Sequence, residues 1–186
     1  MNGAGKTTLV SREDVRRVIG GLSLLNPDQI AEAIRLEHPS LDVNAANLEA
    51  ARRVEASAYD AVARGESVLV ETVLSTTKYG TALRFARELG FRVGMIYVGL
   101  PDVRYSILRV RERVEAGGHD VPVDKLHSRW ERSHDNLARF LPLVDDLFVF
   151  SNAGLTPVLV AVKLGGGPAR LLLPDALPDV TKRLRQ

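Results

Sequence analysis

Residues Met1-Asn2-Gly3-Ala4-Gly5-Lys6-Thr7 match the last seven positions of the phosphate-binding pattern G-x-x-x-x-G-K-[ST]. In such a loop, successive backbone N–H groups kept clear of side chains by Gly3 and Gly5 form a concavity for phosphate oxygens at the start of a helix. Lys6 would reach the β and γ phosphates and Thr7 would ligate Mg2+. Asn2, Gly3, Ala4, Gly5, Lys6, Thr7 and Thr8 are therefore the candidate nucleotide-binding residues, with ATP and Mg2+ as the cofactors. The opening glycine of the pattern falls just before Met1, and a buried strand leading into the loop is expected there too. The sequence reads as one that lacks its first strand, with a start assigned too far downstream.

Leu24-Leu25-Asn26-Pro27-Asp28 places a carboxylate just past a strand, at the end where open α/β sheets bind ligands. Asp28 could take the proton of a substrate hydroxyl as that oxygen attacks the γ-phosphorus. The plainer role is a helix N-cap or first-turn acid. Val68-Leu69-Val70-Glu71-Thr72 is a second buried strand ending in an acid. Glu71 could hold a substrate hydroxyl or a water of the magnesium shell, or be an exposed strand end. Thr72, Ser75 and Thr76 follow as hydroxyl donors.

Arg109, Arg111 and Arg113 precede Gly117-Gly118-His119-Asp120-Val121-Pro122, which leads to Arg129-Trp130-Glu131-Arg132. Arg109 and Arg113 lie four apart and Arg129 and Arg132 three apart, so each pair shares a helix face. Two arginine faces joined by a Gly-Gly turn suit a lid closing over phosphates; the alternative is a solvated helical hairpin. His119 reads as a turn or packing residue.

These residues need a scaffold of buried strands. Apolar runs at Leu22 to Leu25, Ser67 to Leu74, Arg92 to Val98 and Leu147 to Phe150 suit strands covered on both faces. Helical patterns separate them, at Thr7 to Val18, Pro27 to Leu36, Asn44 to Arg64 and Lys78 to Leu89. In the third of these, Leu48, Ala51, Val54, Ala58 and Val62 recur as one apolar face. The alternation predicts a three-layer α/β fold with a mostly parallel sheet, in a single domain over 1–186. Val158 to Leu164 and Arg170 to Leu173 read as a hairpin, followed by a helix from Pro178 to Arg185.

The bulk composition is that of a globular domain: 186 residues, 45% hydrophobic and 26% charged. With no cysteine there is neither a disulfide framework nor a thiolate zinc site. No apolar run reaches membrane-span length and no signal sequence opens the chain, so a soluble cytoplasmic protein is expected, without membrane partners. The net charge of +2 gives no argument for nucleic acid, although 20 of the 25 basic residues are arginine, the better residue for bidentate phosphate contacts.

In order and spacing, NGAGKTT, LLNPDQIA, VLVETVLST, FRVGMIYVGL, RVRERVEAGGHDVP and RWERSHDNL resemble the zeta toxin family. The likeness is to its small kinase-like members, also called predicted ABC-type ATPases, and covers about Met1 to Asn152. GGHDVP with RWERSHDNL is the more specific part. The resemblance implies a P-loop kinase in which Lys6 binds phosphate, Thr7 ligates magnesium and Asp28 is the catalytic base. It places Glu71, with Thr72 beside it, in the substrate site and makes Arg113 and Arg132 the lid arginines, with Arg111 and Arg129 a short alignment slip away. It also implies a small-molecule hydroxyl acceptor, with UDP-N-acetylglucosamine as the precedent, and a small antitoxin protein as partner. No LSGGQ-type signature and no strand ending in Asp-Glu supports a transporter-type ATPase. The alternative to a kinase is a non-catalytic nucleotide- or partner-binding protein with an incomplete loop.

Overall fold

The computed structural model describes residues 2–118 and 120–185; His119 lies outside them, as does Met1. In chain order the elements are α1 (Lys6–Ser11), α2 (Glu13–Ile19), β1 (Ser23–Leu25), α3 (Pro27–Glu37), α4 (Val43–Ala63), β2 (Val68–Val70), α5 (Tyr79–Glu88), β3 (Gly94–Gly99), α6 (Val103–Glu115), α7 (Val123–Phe140), β4 (Asp146–Ser151), β5 (Val158–Lys163), β6 (Arg170–Leu171) and α8 (Pro178–Leu184). The alternation is that of a P-loop α/β fold. Backbone contacts divide the chain into two compact units, Arg12–Thr72 and the combination of Met1–Ser11 with Val73–Gln186.

In the first of these, β1 and β2 pair in parallel, Ser23 with Val68 through Leu25 with Val70. A parallel pair needs a crossover, supplied here by α3 and α4. Two three-residue strands hold little by themselves, and both lean on α4. α4 packs on α3 through Ala46 and Ala50 against Ala31 and Ile34, all nearly inaccessible. The buried stripe of α4 is Ala46, Ala50, Val54, Ala58 and Ala61. It is rotated from the expected face, and Leu48 is 56% exposed. The large side chains suggested one face, but helices approach closely where side chains are small, and an i, i+4 row of alanines meets that need.

In the second unit, β3 and β4 pair in parallel from Gly94–Asp146 to Gly99–Ser151. β5 and β6 then add in antiparallel fashion, making a four-stranded sheet. The expected hairpin after Asn152 is thus part of the main sheet. Leu147, Val149, Val160 and Ala161 are fully buried in this sheet, as are Leu137 and Phe140 of α7. The described strands therefore form two sheets, and the four-stranded one is mixed.

The helix expected from Thr7 to Val18 is two helices. Arg12 is extended, at φ −65° and ψ 139°, so it closes α1 and starts α2. No described helix is long and apolar enough to cross a membrane.

Candidate functional site

The loop Asn2–Gly5 is tied down through its carbonyls. Ser106 Oγ donates to the Asn2 carbonyl at 2.8 Å, Arg109 Nη1 to that of Gly3 at 3.3 Å, and Asn152 Nδ2 to that of Ala4 at 2.9 Å. The Gly5 carbonyl accepts from Leu9 N at 3.0 Å as α1 begins. Arg109 Nη2 also donates to the Asn152 carbonyl at 2.7 Å, joining the α6 anchor to the one after β4. Arg129 Nη1, from α7, donates to Asn2 Oδ1 at 3.1 Å.

Both glycines are in the left-handed region, Gly3 at φ 65° and Gly5 at φ 79°. Side chains there are disfavoured by conformation and by space. A Cβ on Gly3 would lie 3.2 Å from Arg109 Cβ, and one on Gly5 would lie 2.3 Å from Asn152 Nδ2. Lys6 is half-buried at the first position of α1, and Thr7 and Thr8 are exposed after it. A backbone cradle of this kind, followed by Lys-Thr, fits a triphosphate and its magnesium: main-chain donors meet oxygens, and a hydroxyl suits a hard cation.

α6 is set by Asp102, whose side chain accepts from Arg104 N at 2.8 Å as its N-cap. The Arg104 guanidinium on the same carboxylate holds Asp102 below the usual carboxylate range. At the other end, Gly117 at φ 86° and the bonds Gly117 N to Val114 O and Gly118 N to Arg113 O form a Schellman stop. This is the expected Gly-Gly turn.

The expected lid arginines differ in placement. Arg113 is exposed, and its stem lies so close to Gly118 that a Cβ there would sit 2.6 Å from Arg113 Cγ. Arg132 is exposed, and its Nε donates to the Ser128 carbonyl one turn back at 3.2 Å. Arg109 and Arg129, by contrast, are half-buried and reach loop residues. Arg111 lines a separate cavity of about 330 Å³ between α6 and α7, walled by Val110, Val114, Val121 and Leu126.

In the unit Arg12–Thr72, Asn26 brings the two acidic strand ends together. Its Oδ1 caps α3 by accepting from Asp28 N at 2.9 Å and Gln29 N at 3.3 Å, and its Nδ2 donates to Glu71 Oε2 at 3.0 Å. Asn26 is 7% exposed, whereas Asp28 is exposed in the first turn of α3 and Glu71 and Thr72 are half-buried. The cap is therefore Asn26, which leaves the Asp28 carboxylate out of the capping role. The sequence does not single out Asn26, Ser106 or Asn152 for these contacts, although the Asn26-Pro27 pair at a helix start is a signal for the cap.

A family model described as an AAA domain matches residues 1–139, which hold the loop, both acidic strand ends and both arginine helices. The chain belongs to this AAA domain family. It is 28% identical over 130 residues to an uncharacterized protein of Haemophilus influenzae, across 69% of this chain and 86% of that one. Among solved structures, its fold is similar to a chain from the PezAT chromosomal toxin–antitoxin system of Streptococcus pneumoniae, with a TM-score of 0.59 at 18% identity. That match covers 82% of this AAA domain chain, which spans 64% of the length of the streptococcal one. The α/β fold expected from the sequence thus has its counterpart in a solved structure. An α/β P-loop architecture is common to both lines of comparison.

Proposed function

We propose that this chain is an ATP-dependent phosphotransferase of the zeta toxin type, moving a γ-phosphoryl group to a hydroxyl of a small molecule, with a nucleotide sugar such as UDP-N-acetylglucosamine as the acceptor class. The observation that carries the reading is the loop itself, with its two left-handed glycines and its carbonyls drawn off by side chains. Bound ATP and Mg2+ would supply the phosphoryl group and charge neutralisation. The loop N–H groups and Lys6 would hold the phosphates, and the Thr7 hydroxyl would ligate the cation. Asp28, an exposed carboxylate that the helix cap does not occupy, would accept the acceptor's hydroxyl proton as that oxygen bonds to the γ-phosphorus and ADP leaves with the electrons of the broken bond. Glu71, steadied by Asn26, holds the acceptor with Thr72 beside it. Arg113 and Arg132 offset charge on the transferring group. An antitoxin-like protein is the proposed macromolecular partner, and the cytoplasm the proposed compartment.

The test is transfer of label from [γ-32P]ATP with Mg2+ to a panel of hydroxyl compounds that includes UDP-N-acetylglucosamine. Label on an acceptor supports the proposal. Nucleotide binding with no label beyond water would favour the non-catalytic nucleotide- or partner-binding alternative.

A further inference from the structure

Three consecutive loop carbonyls, those of Asn2, Gly3 and Ala4, each accept a hydrogen bond from a different side chain, Ser106, Arg109 and Asn152. Those donors are remote in sequence, 104, 106 and 148 residues from their acceptors. In a trans peptide the C=O of one residue and the N–H of the next point in opposite directions. Holding the Asn2 carbonyl therefore aims the Gly3 N–H away from Ser106. Holding the Gly3 and Ala4 carbonyls likewise aims the N–H groups of Ala4 and Gly5 away from Arg109 and Asn152. A free loop of this composition would sample many orientations, since glycine gives up more backbone freedom on ordering than any other residue.

We propose that Ser106, Arg109 and Asn152 are positioning residues that preset the loop's N–H groups for a polyphosphate by fixing the opposite ends of the same peptide units. Arg109 has a structural rather than a phosphate-binding part: its two terminal nitrogens bond protein carbonyls, one in the loop and one at Asn152. The two glycines follow from the same device. A Cβ on Gly3 would crowd Arg109 Cβ and one on Gly5 would displace Asn152 Nδ2, so a side chain at either position would push on the support. This inference rests on the nucleotide-binding reading above for its purpose, but its structural part can be measured without nucleotide.

The experiment uses the whole chain with Ser106→Ala, Asn152→Ala, Arg109→Ala and Arg109→Lys. In ligand-free protein, NMR order parameters of the Gly3, Ala4 and Gly5 N–H vectors are expected to fall in the variants, while those within α6 and α7 stay at rigid-backbone values. Ser106→Ala removes a single oxygen, so its folding is expected to survive even if another variant fails. ATP–Mg2+ affinity by calorimetry should fall roughly three- to tenfold for Ser106→Ala or Asn152→Ala, the scale of one neutral hydrogen bond. Arg109→Ala should lose more, and Arg109→Lys should recover only part, because an ammonium keeps the charge but not the two-pronged geometry. Unchanged order parameters at residues 3–5 overturn the scaffold whatever the nucleotide result, and full recovery in Arg109→Lys overturns the fork assigned to Arg109. Wild-type protein that binds no nucleotide, with the loss of order present in the variants, overturns the nucleotide-binding reading and supports the scaffold.

Discussion

Asn152 and Gly5 occupy one space between them: a Cβ on Gly5 would lie 2.3 Å from the Asn152 Nδ2 that holds the Ala4 carbonyl. The glycine of Gly-Lys-Thr is thus set by a side chain 147 positions away as well as by its own φ of 79°. Gly5→Ala is expected to cost about 1 to 2 kcal/mol from the left-handed backbone alone, with the clash adding to it. Asn152→Gly would relieve the clash and leave the backbone strain. In denaturant unfolding, the double variant should therefore lose less than the sum of the singles, whereas strict additivity would mean the two residues do not compete.

Asn26 serves a helix and a carboxylate at once. Asn26→Ala should lose about 1 kcal/mol as a missing cap, and more because the half-buried Glu71 loses its donor. Asn26→Asp keeps the cap acceptor but faces Glu71 with a second carboxylate, so at neutral pH it should be less stable than wild type despite the intact cap. Urea midpoints of the two variants check this, and Asn26→Asp as stable as wild type would remove Glu71 from the account.

His134 should make the protein sensitive to acid. It is 1% exposed, neither ring nitrogen has a hydrogen-bond partner among the described residues, and Trp130 stacks edge-on at 4.7 Å. Burial, with the Arg183 charge nearby, pushes its pKa from 6.5 down to about 4. A depressed folded pKa means that the unfolded chain takes the proton first as pH falls. The His134 contribution is thus present above about 6.5, declines toward about 4, and falls no further below that. The loss is on the order of 3 kcal/mol at most. Stability measured across pH 4 to 7 should show this slope, and His134→Leu should flatten it with little loss at pH 7, since no hydrogen bond is removed. An identical slope in the variant would place the acid sensitivity elsewhere.

Asp28 and the two exposed arginines should affect rate without affecting folding. Asp28→Asn is expected to lower phosphoryl transfer by roughly 10² to 10⁴ with ATP affinity nearly intact. Arg113→Ala and Arg132→Ala should leave stability within about 0.5 kcal/mol, as exposed positions do, while lowering turnover by up to roughly 10³ to 10⁵. Calorimetry beside the labelled-transfer assay separates these effects. Unchanged turnover in Asp28→Asn would reject it as the base.

What the amino-acid sequence determined by itself is local. Gly3, Gly5, Lys6 and Thr7 announce a phosphate loop because that chemistry needs bare backbone followed by a cation and a hydroxyl within one short segment. Alternating strands and helices give the α/β class, and Asn26-Pro27 starts a helix beside a strand end, because these depend on periodicity and on φ preferences of neighbouring residues. The tertiary structure decided what depends on distant partners. It turned α4 onto its alanines because the approach of α3 requires small residues, and it added β5 and β6 to the main sheet because β4 offered them an edge. It also sorted the arginines, sending Arg109 and Arg129 to the loop and leaving Arg113 and Arg132 exposed. A guanidinium's partners are set by where its helix lies, and no spacing along α6 or α7 encodes a carbonyl of Gly3 more than a hundred residues away.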